Sequence, residues 1–361
     1  MASQRKYMKK IRVAINGFGR IGRAFLKITW ENPEIEIVAI NDLGSIASLS
    51  YLLRHDTVYK NWDHPVRTED NSNGTSNLII DERKIVYLSE KDTTKLPWKD
   101  LDIDVVVEST GLFTSYDKAK FHIDQGAKKV VITAPAKPAS PSQGGGAEST
   151  TPGATILLGI NEEKFGTCDI TSNASCTTNA ASPLIAIMHE SIGIEKAILN
   201  TVHGYTATQA LVDGPSKKDL REGRAAAQNI IPSSTGAAIA VTEAFPVLKG
   251  LFDGISIRVP VPAGSIVDIT FIAKRDTTKE EVNEIMKKAA LDSRWHKLFT
   301  ITEDNLVSSD ILEESHACIA DLEMTRVVGG NLVKVMGWYD NEMGYTYTLV
   351  DHVIKTGQSI K

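Results

Sequence analysis

Cysteine is scarce in this sequence. Only Cys168, Cys176 and Cys318 occur, with no CxxC pair, which excludes a disulfide framework and a thiolate-rich zinc site. A reducing compartment, the cytoplasm, is expected, and no metal. An apolar run of signal-peptide or membrane-spanning length is also missing, since the basic start MASQRKYMKK leads directly into IRVAING. The expectation is a soluble chain with no membrane partner. Nor is there an excess of positive charge: 40 Lys plus Arg stand against 45 Asp plus Glu, for a net charge of -5. Without a sustained basic block to track a phosphate backbone, nucleic acid is not an expected partner. No internal repeat is visible.

What is present is length and apolar content. A chain of 361 residues that is 42% hydrophobic can bury two cores. Ile11–Asn16 reads as a buried strand; from Arg20 the apolar Ile21, Ala24, Phe25 and Ile28 recur at helical spacing; 35–42 is a β-branched strand. Helices over 45–54 and 116–125 and strands over 104–109 and 128–133 continue the alternation. This pattern predicts an α/β domain with a doubly wound, mainly parallel sheet. Residues 64–88, with Asn73-Gly74 at a turn, read as a small inserted antiparallel hairpin, and 136–152, rich in Pro, Gly, Ser and Thr, as an exposed loop.

After Cys176 the composition changes. A helix to about 191 and a strand over 197–203 precede a polar loop, 204–229, too long for a packed domain to keep without a function. ISIRVPV and SIVDITFIAK alternate like antiparallel strands, and 279–291 is an amphipathic helix. The second domain is therefore expected to be α+β, with a mostly antiparallel sheet. The expected division is 1–175, completed by a C-terminal helix over about 341–361, and a catalytic, substrate and oligomerisation domain over 176–340.

Two local patterns carry chemistry. Gly17, Gly19 and Gly22 form GxGxxG between a strand and a helix, and Asp42 follows Gly22 by twenty residues at the end of the next strand. Missing Cβ atoms let a pyrophosphate reach the positive helix end, and the carboxylate suits ribose hydroxyls while repelling a 2′-phosphate. This predicts a Rossmann domain that binds NAD rather than NADP. SNASCTTN places Cys176 where a strand gives way to a helix, a position that favours a low-pKa thiolate. His203 ends a strand and opens the long loop, where an imidazole could hold and shuttle the thiol proton.

The ordered motifs INGFGRIGR, AIND, VESTG, SNASCTTN, TVHGYTATQ, VDGPS, IIPSSTGAA, IRVPV and WYDNEMGY, between about residues 11 and 355, resemble the phosphorylating glyceraldehyde-3-phosphate dehydrogenases. The resemblance implies Cys176 as nucleophile and His203 as base. It implies that glyceraldehyde 3-phosphate and inorganic phosphate are converted to 1,3-bisphosphoglycerate through a hemithioacetal and a thioester. Thr206 and Arg258 would hold the substrate phosphate; Ser175, Thr177, Thr235 and the backbone of Gly236 would hold the attacking one. For NAD it implies Arg20 and Ile21 at the pyrophosphate, Lys91 near the adenine where many members carry arginine, Thr133 near the nicotinamide and Asn341 on the carboxamide. The loop 204–229 resembles one that lies at a subunit interface, which implies a homotetramer. Ala180 replaces a second cysteine found in many members. The alternatives are an erythrose-4-phosphate dehydrogenase, which departs in the segments where this chain keeps TATQ and STG, and a non-catalytic binding protein that uses the nucleotide groove.

Overall fold

A computed structural model describes residues 9–71, 75–136, 151–216 and 219–360. The Asn73-Gly74 turn and all but the ends of the expected 136–152 loop lie outside them. The chain divides into two compact units: residues through Ala154, Lys164–Asn173 and those from Leu349 onward form the first, Thr155–Glu163 and Ala174–Thr348 the second. Among the described residues no helix is long and apolar enough to cross a membrane.

The first unit is built on a nine-stranded sheet. Its order is Gly153–Thr155, Ile170–Ser172, Lys129–Ile132, Val105–Glu108, Ile11–Asn16, Ile35–Asn41, Arg83–Leu88, Ser76–Ile80 and Val66–Asp70. Pairing is parallel from Ile170–Ser172 through Arg83–Leu88, as strands joined by helical crossovers require, and antiparallel over the last two steps. Val13, Ile15, Val105, Val107 and Val131 enter one core and the intervening Ala14, Ala39 and Val106 another, so these strands are buried on both faces. Helix Arg20–Thr29 packs Phe25 and Leu26 into that core, and Leu349, Val350 and Val353 of the last helix, Met343–Gln358, join it.

Two expectations are corrected here. The expected antiparallel hairpin is present, but it is not separate from the sheet: Arg83–Leu88 pairs in parallel with Ile35–Asn41, so Ser76–Ile80 and Val66–Asp70 extend the main sheet. The turn before that strand uses Asp81 and Glu82, both at positive φ (45° and 64°), and Trp30 Nε1 holds Asp81 at 2.7 Å. The expected helix over 116–125 is two single turns, Tyr116–Ala119 and Phe121–Asp124. Lys120 N–H turns to Asp117 O at 3.4 Å rather than to the carbonyl four residues back, which breaks the ladder.

The second unit carries an eight-stranded sheet ordered Ile231–Ser234, Phe252–Val259, Ile194–Gly204, Ser265–Ala273, Leu332–Tyr339, Cys318–Asp321 and Phe299–Thr302, with Arg326–Val328 paired to Leu332–Tyr339. Most pairs are antiparallel. Phe252–Val259, however, runs parallel to Ile194–Gly204, and Ser265–Ala273 lies on that strand's other edge. The two alternating segments read as antiparallel strands are thus not neighbours. The helix Ala237–Ala244 precedes Phe252–Val259 and provides the crossover that a parallel pair needs. The resulting register sets His203 beside Arg258. Helix Cys176–Ile192 is buried along most of its length and meets the sheet at Gly337, where a Cβ would stand 2.9 Å from Leu184 Cδ1.

Candidate active site

In the first unit each glycine of GxGxxG has its own reason. Gly17 sits at φ 96°, and a Cβ there would lie 2.6 Å from the Ser109 carbonyl carbon. At Gly22 a Cβ would lie 2.3 Å from Gly17 O, so glycine lets the helix close on the turn. Gly19 has nothing within 4 Å of its Cβ position: that face is open, as a cradle for a pyrophosphate must be. Ile21 and Gly22 stand in the first turn of a ten-residue helix, at the positive end of its dipole. Arg20 begins the same helix, but its guanidinium is held on Asp56 at 3.0 and 3.3 Å, so its contribution to an anion there is main-chain.

Asp42 is fixed by Phe18 N–H at 2.6 Å on Oδ2 and Gly44 N–H at 2.8 Å on Oδ1, which leaves further lone pairs for hydroxyl donors. Lys91 is exposed. Thr133 follows the strand Lys129–Ile132 and donates its N–H to Glu108 O at 3.0 Å.

The second unit holds the cysteine. Ala174 takes φ 55°, an unusual conformation for a residue with a Cβ, and its carbonyl accepts from Tyr345 Oη at 3.2 Å. This turn lets Ser175 cap the following helix, its Oγ accepting Thr178 N–H at 3.2 Å, so Cys176 becomes the first helical residue. Cys176 Sγ lies 3.3 Å from His203 Nε2. His203 Nδ1 lies 2.6 Å from Gly204 O and also 2.6 Å from Arg258 Nη1, so a carbonyl and a cation compete for one nitrogen.

The electrostatics correct one expectation. Burial pushes the Cys176 thiol up, and the opposing pull of Arg258 and of the Thr177 N–H and hydroxyl only offsets part of it. Burial and Arg258 together bring His203 down to about 3. Burial thus acts against charge on both groups, and the helix N-terminus does not by itself lower the thiol. Arg258 has no carboxylate partner among the described residues, and its buried Nε has no hydrogen-bond acceptor. A half-buried cation without a carboxylate partner, beside a thiol and an imidazole, suits an anion.

The other candidates are ordered around this core. Thr177 Oγ1 is 2.9 Å from Tyr339 Oη, which is also 2.7 Å from Thr201 Oγ1. Thr206 is held by Gln209, whose Oε1 accepts its N–H at 2.9 Å and its hydroxyl at 3.1 Å; Thr206 and Arg258 share no hydrogen bond. Thr235 Oγ1 accepts Ala237 N–H at 3.2 Å, and Gly236 is the open N-cap of Ala237–Ala244, a helix that packs Ala240 and Ala244 on Ala174. Asn341 Oδ1 accepts Gly264 N–H and Ser265 Oγ–H, both at 3.0 Å, which directs its amide nitrogen the other way. Tyr339, Thr201, Gln209 and Ser265 were not read as site residues. Thr201, Gln209 and Tyr339 lie inside the motifs TVHGYTATQ and WYDNEMGY, but their buried hydroxyls and amide carry no spacing signal.

Family models for the glyceraldehyde 3-phosphate dehydrogenase NAD binding domain and C-terminal domain match residues 11–116 and 175–341. The chain belongs to the glyceraldehyde-3-phosphate dehydrogenase family. It is 44% identical over 354 residues to the glyceraldehyde-3-phosphate dehydrogenase of Streptomyces coelicolor, covering 97% of this chain and 99% of that one. The enzyme of the same name from Chlamydia muridarum is 46% identical over 344 residues (94% and 97% covered). Glyceraldehyde-3-phosphate dehydrogenase 1 of Kluyveromyces lactis is 43% identical over 344 residues (95% and 98%). Family membership makes the chain an NAD-dependent oxidoreductase acting on an aldehyde group.

Proposed function

We propose that this chain oxidises glyceraldehyde 3-phosphate and couples the product to inorganic phosphate, giving 1,3-bisphosphoglycerate and NADH. The observation that carries the reading is the row Cys176, His203, Arg258, with its 3.3 Å sulfur-to-nitrogen contact and its uncompensated guanidinium.

The substrate phosphate pairs with Arg258, with Thr206 donating its hydroxyl. Charge on Arg258 is then neutralised, so the imidazole beside it regains basicity while Nδ1–H rests on Gly204 O. His203 Nε2 takes the Cys176 proton as sulfur bonds to the aldehyde carbon, and returns it to the new alkoxide to give the hemithioacetal. Bound NAD supplies the hydride acceptor. As the hemithioacetal carbon gives up its hydrogen as hydride to that acceptor, His203 removes the hydroxyl proton, the C=O bond forms and a thioester remains on Cys176. Ser175, Thr177, Thr235 and the Gly236 backbone hold inorganic phosphate, whose oxygen attacks the thioester carbon; the sulfur leaves and recovers its proton from His203. Gly17, Gly19, Gly22, Arg20, Ile21 and Asp42 would hold the dinucleotide, with Lys91 and Thr133 beside it, and Asn341 would hydrogen-bond its carboxamide.

Three free thiols suit the reducing cytoplasm. Leu211, Val212 and Leu220, at 80%, 72% and 84% exposure, give the long loop an apolar surface that a homotetramer would cover. The test is NADH formation with purified protein. It should require both glyceraldehyde 3-phosphate and inorganic phosphate and vanish in Cys176→Ser. Faster turnover of erythrose 4-phosphate would replace the substrate assignment, and absence of any reduction would leave only a binding role.

A further inference from the structure

Beneath the dinucleotide turn lies a buried polar chain that the reaction does not use. Glu108, 2% exposed, accepts Asn16 Nδ2 at 2.6 Å and His122 Nε2 at 3.0 Å on one carboxylate oxygen, and the Thr110 N–H (2.9 Å) and hydroxyl on the other. Four donors satisfy the group without a cation. The His122 tautomer follows from chemistry: Trp98 Nε1–H can only donate, so His122 Nδ1 accepts it at 2.9 Å and the ring proton sits on Nε2, facing Glu108. Burial pushes the His122 pKa down, so the ring stays neutral.

The chain has a direction. Because Glu108 only accepts, Asn16 must turn Nδ2 toward it and Oδ1 toward Asn41, whose Nδ2 donates at 2.8 Å. Asn41 then presents Oδ1 to Glu90 N–H at 2.9 Å and Nδ2 to Glu90 O at 3.1 Å. Each amide adjoins a residue of the cofactor site: Asn16 precedes Gly17, Asn41 precedes Asp42, and Glu90 precedes Lys91. Thr110 borders the same turn, since a Cβ at Gly17 would lie 2.6 Å from Thr110 N.

We infer that Glu108 is a positioning residue for the cofactor: one buried carboxylate sets the polarity of an amide chain that fixes the glycine turn, the ribose carboxylate and the Lys91 segment together. The inference rests on the NAD site proposed above. In Glu108→Gln an NH2 group faces donors on at least one side. Flipping Asn16 to accommodate it forces Asn41 to flip as well, and Asn41 then turns a donor toward Glu90 N–H and an acceptor toward Glu90 O, so both bonds to Glu90 are lost.

Binding of NAD to the full-length protein, followed by titration calorimetry, tests this. Wild type must bind NAD; if it does not, the site reading itself fails. Glu108→Gln is expected to weaken NAD at least tenfold while kcat at saturating NAD falls no more than about twofold. Val105→Ala, a core change on the same strand, should leave NAD affinity within about twofold at a comparable loss of melting temperature. If Glu108→Gln does not fold, Asn41→Ala leaves the carboxylate satisfied and should weaken NAD several-fold. Wild-type affinity in the variant that folds, or an equal loss in Val105→Ala, would overturn the inference.

Discussion

His203 and Arg258 show how much a single neighbour decides. Between pH 6.5 and about 3 the unfolded chain binds a proton at His203 that the folded imidazole refuses. Stability is therefore lost as pH falls through that window. His203→Asn should remove this part of the acid slope in denaturant titrations, and should also slow acylation by about a hundredfold or more in single-turnover NADH bursts. An unchanged burst would remove His203 as the base. Arg258 acts on both partners: it lowers the thiol and lowers the imidazole. Arg258→Leu should move the pH profile of Cys176 alkylation by iodoacetamide to higher pH, since the thiolate loses its nearest cation. A shift to lower pH would contradict this. At this scale the sequence named Cys176 and His203, which the fold sets 3.3 Å apart, but not what burial and Arg258, 55 positions after His203, do to their acidity.

Elements were most legible where local chemistry and tertiary packing agree. Ile11–Asn16 and Arg20–Thr29 begin as the apolar pattern predicts. The Asp81-Glu82 turn was not legible, because two residues with side chains take the conformation that Asn-Gly usually announces, with Asp81 held by Trp30 and His64. Gly22 lends itself to a test at this level. Gly22→Ala brings a methyl against a backbone carbonyl that cannot rotate away, so helix and turn must separate. A loss of about 1–3 kcal/mol in stability is expected, with NAD affinity down at least tenfold by calorimetry; wild-type affinity would show that the close approach is dispensable.

For the whole molecule, strand pairing was the hardest feature to read. Alternation shows that Phe252–Val259 and Ser265–Ala273 are strands, but not that Ile194–Gly204 separates them, because pairing is settled by what a crossover helix can span. That topology is what brings His203 and Arg258 together, so motif order located the site before any contact could be inferred. Assembly belongs to the same scale. If the proposed tetramer forms through this loop, Leu211→Asp with Leu220→Asp should lower the mass measured by light scattering; an unchanged mass would take the loop out of the interface.

The turn at Ala174 has a consequence in time as well as in space. Its left-handed backbone is tied by a hydroxyl from Tyr345, 171 positions later. Tyr345 is made after Cys176, so the tie that holds the turn in front of the sulfur forms only once the later segment has folded back onto it.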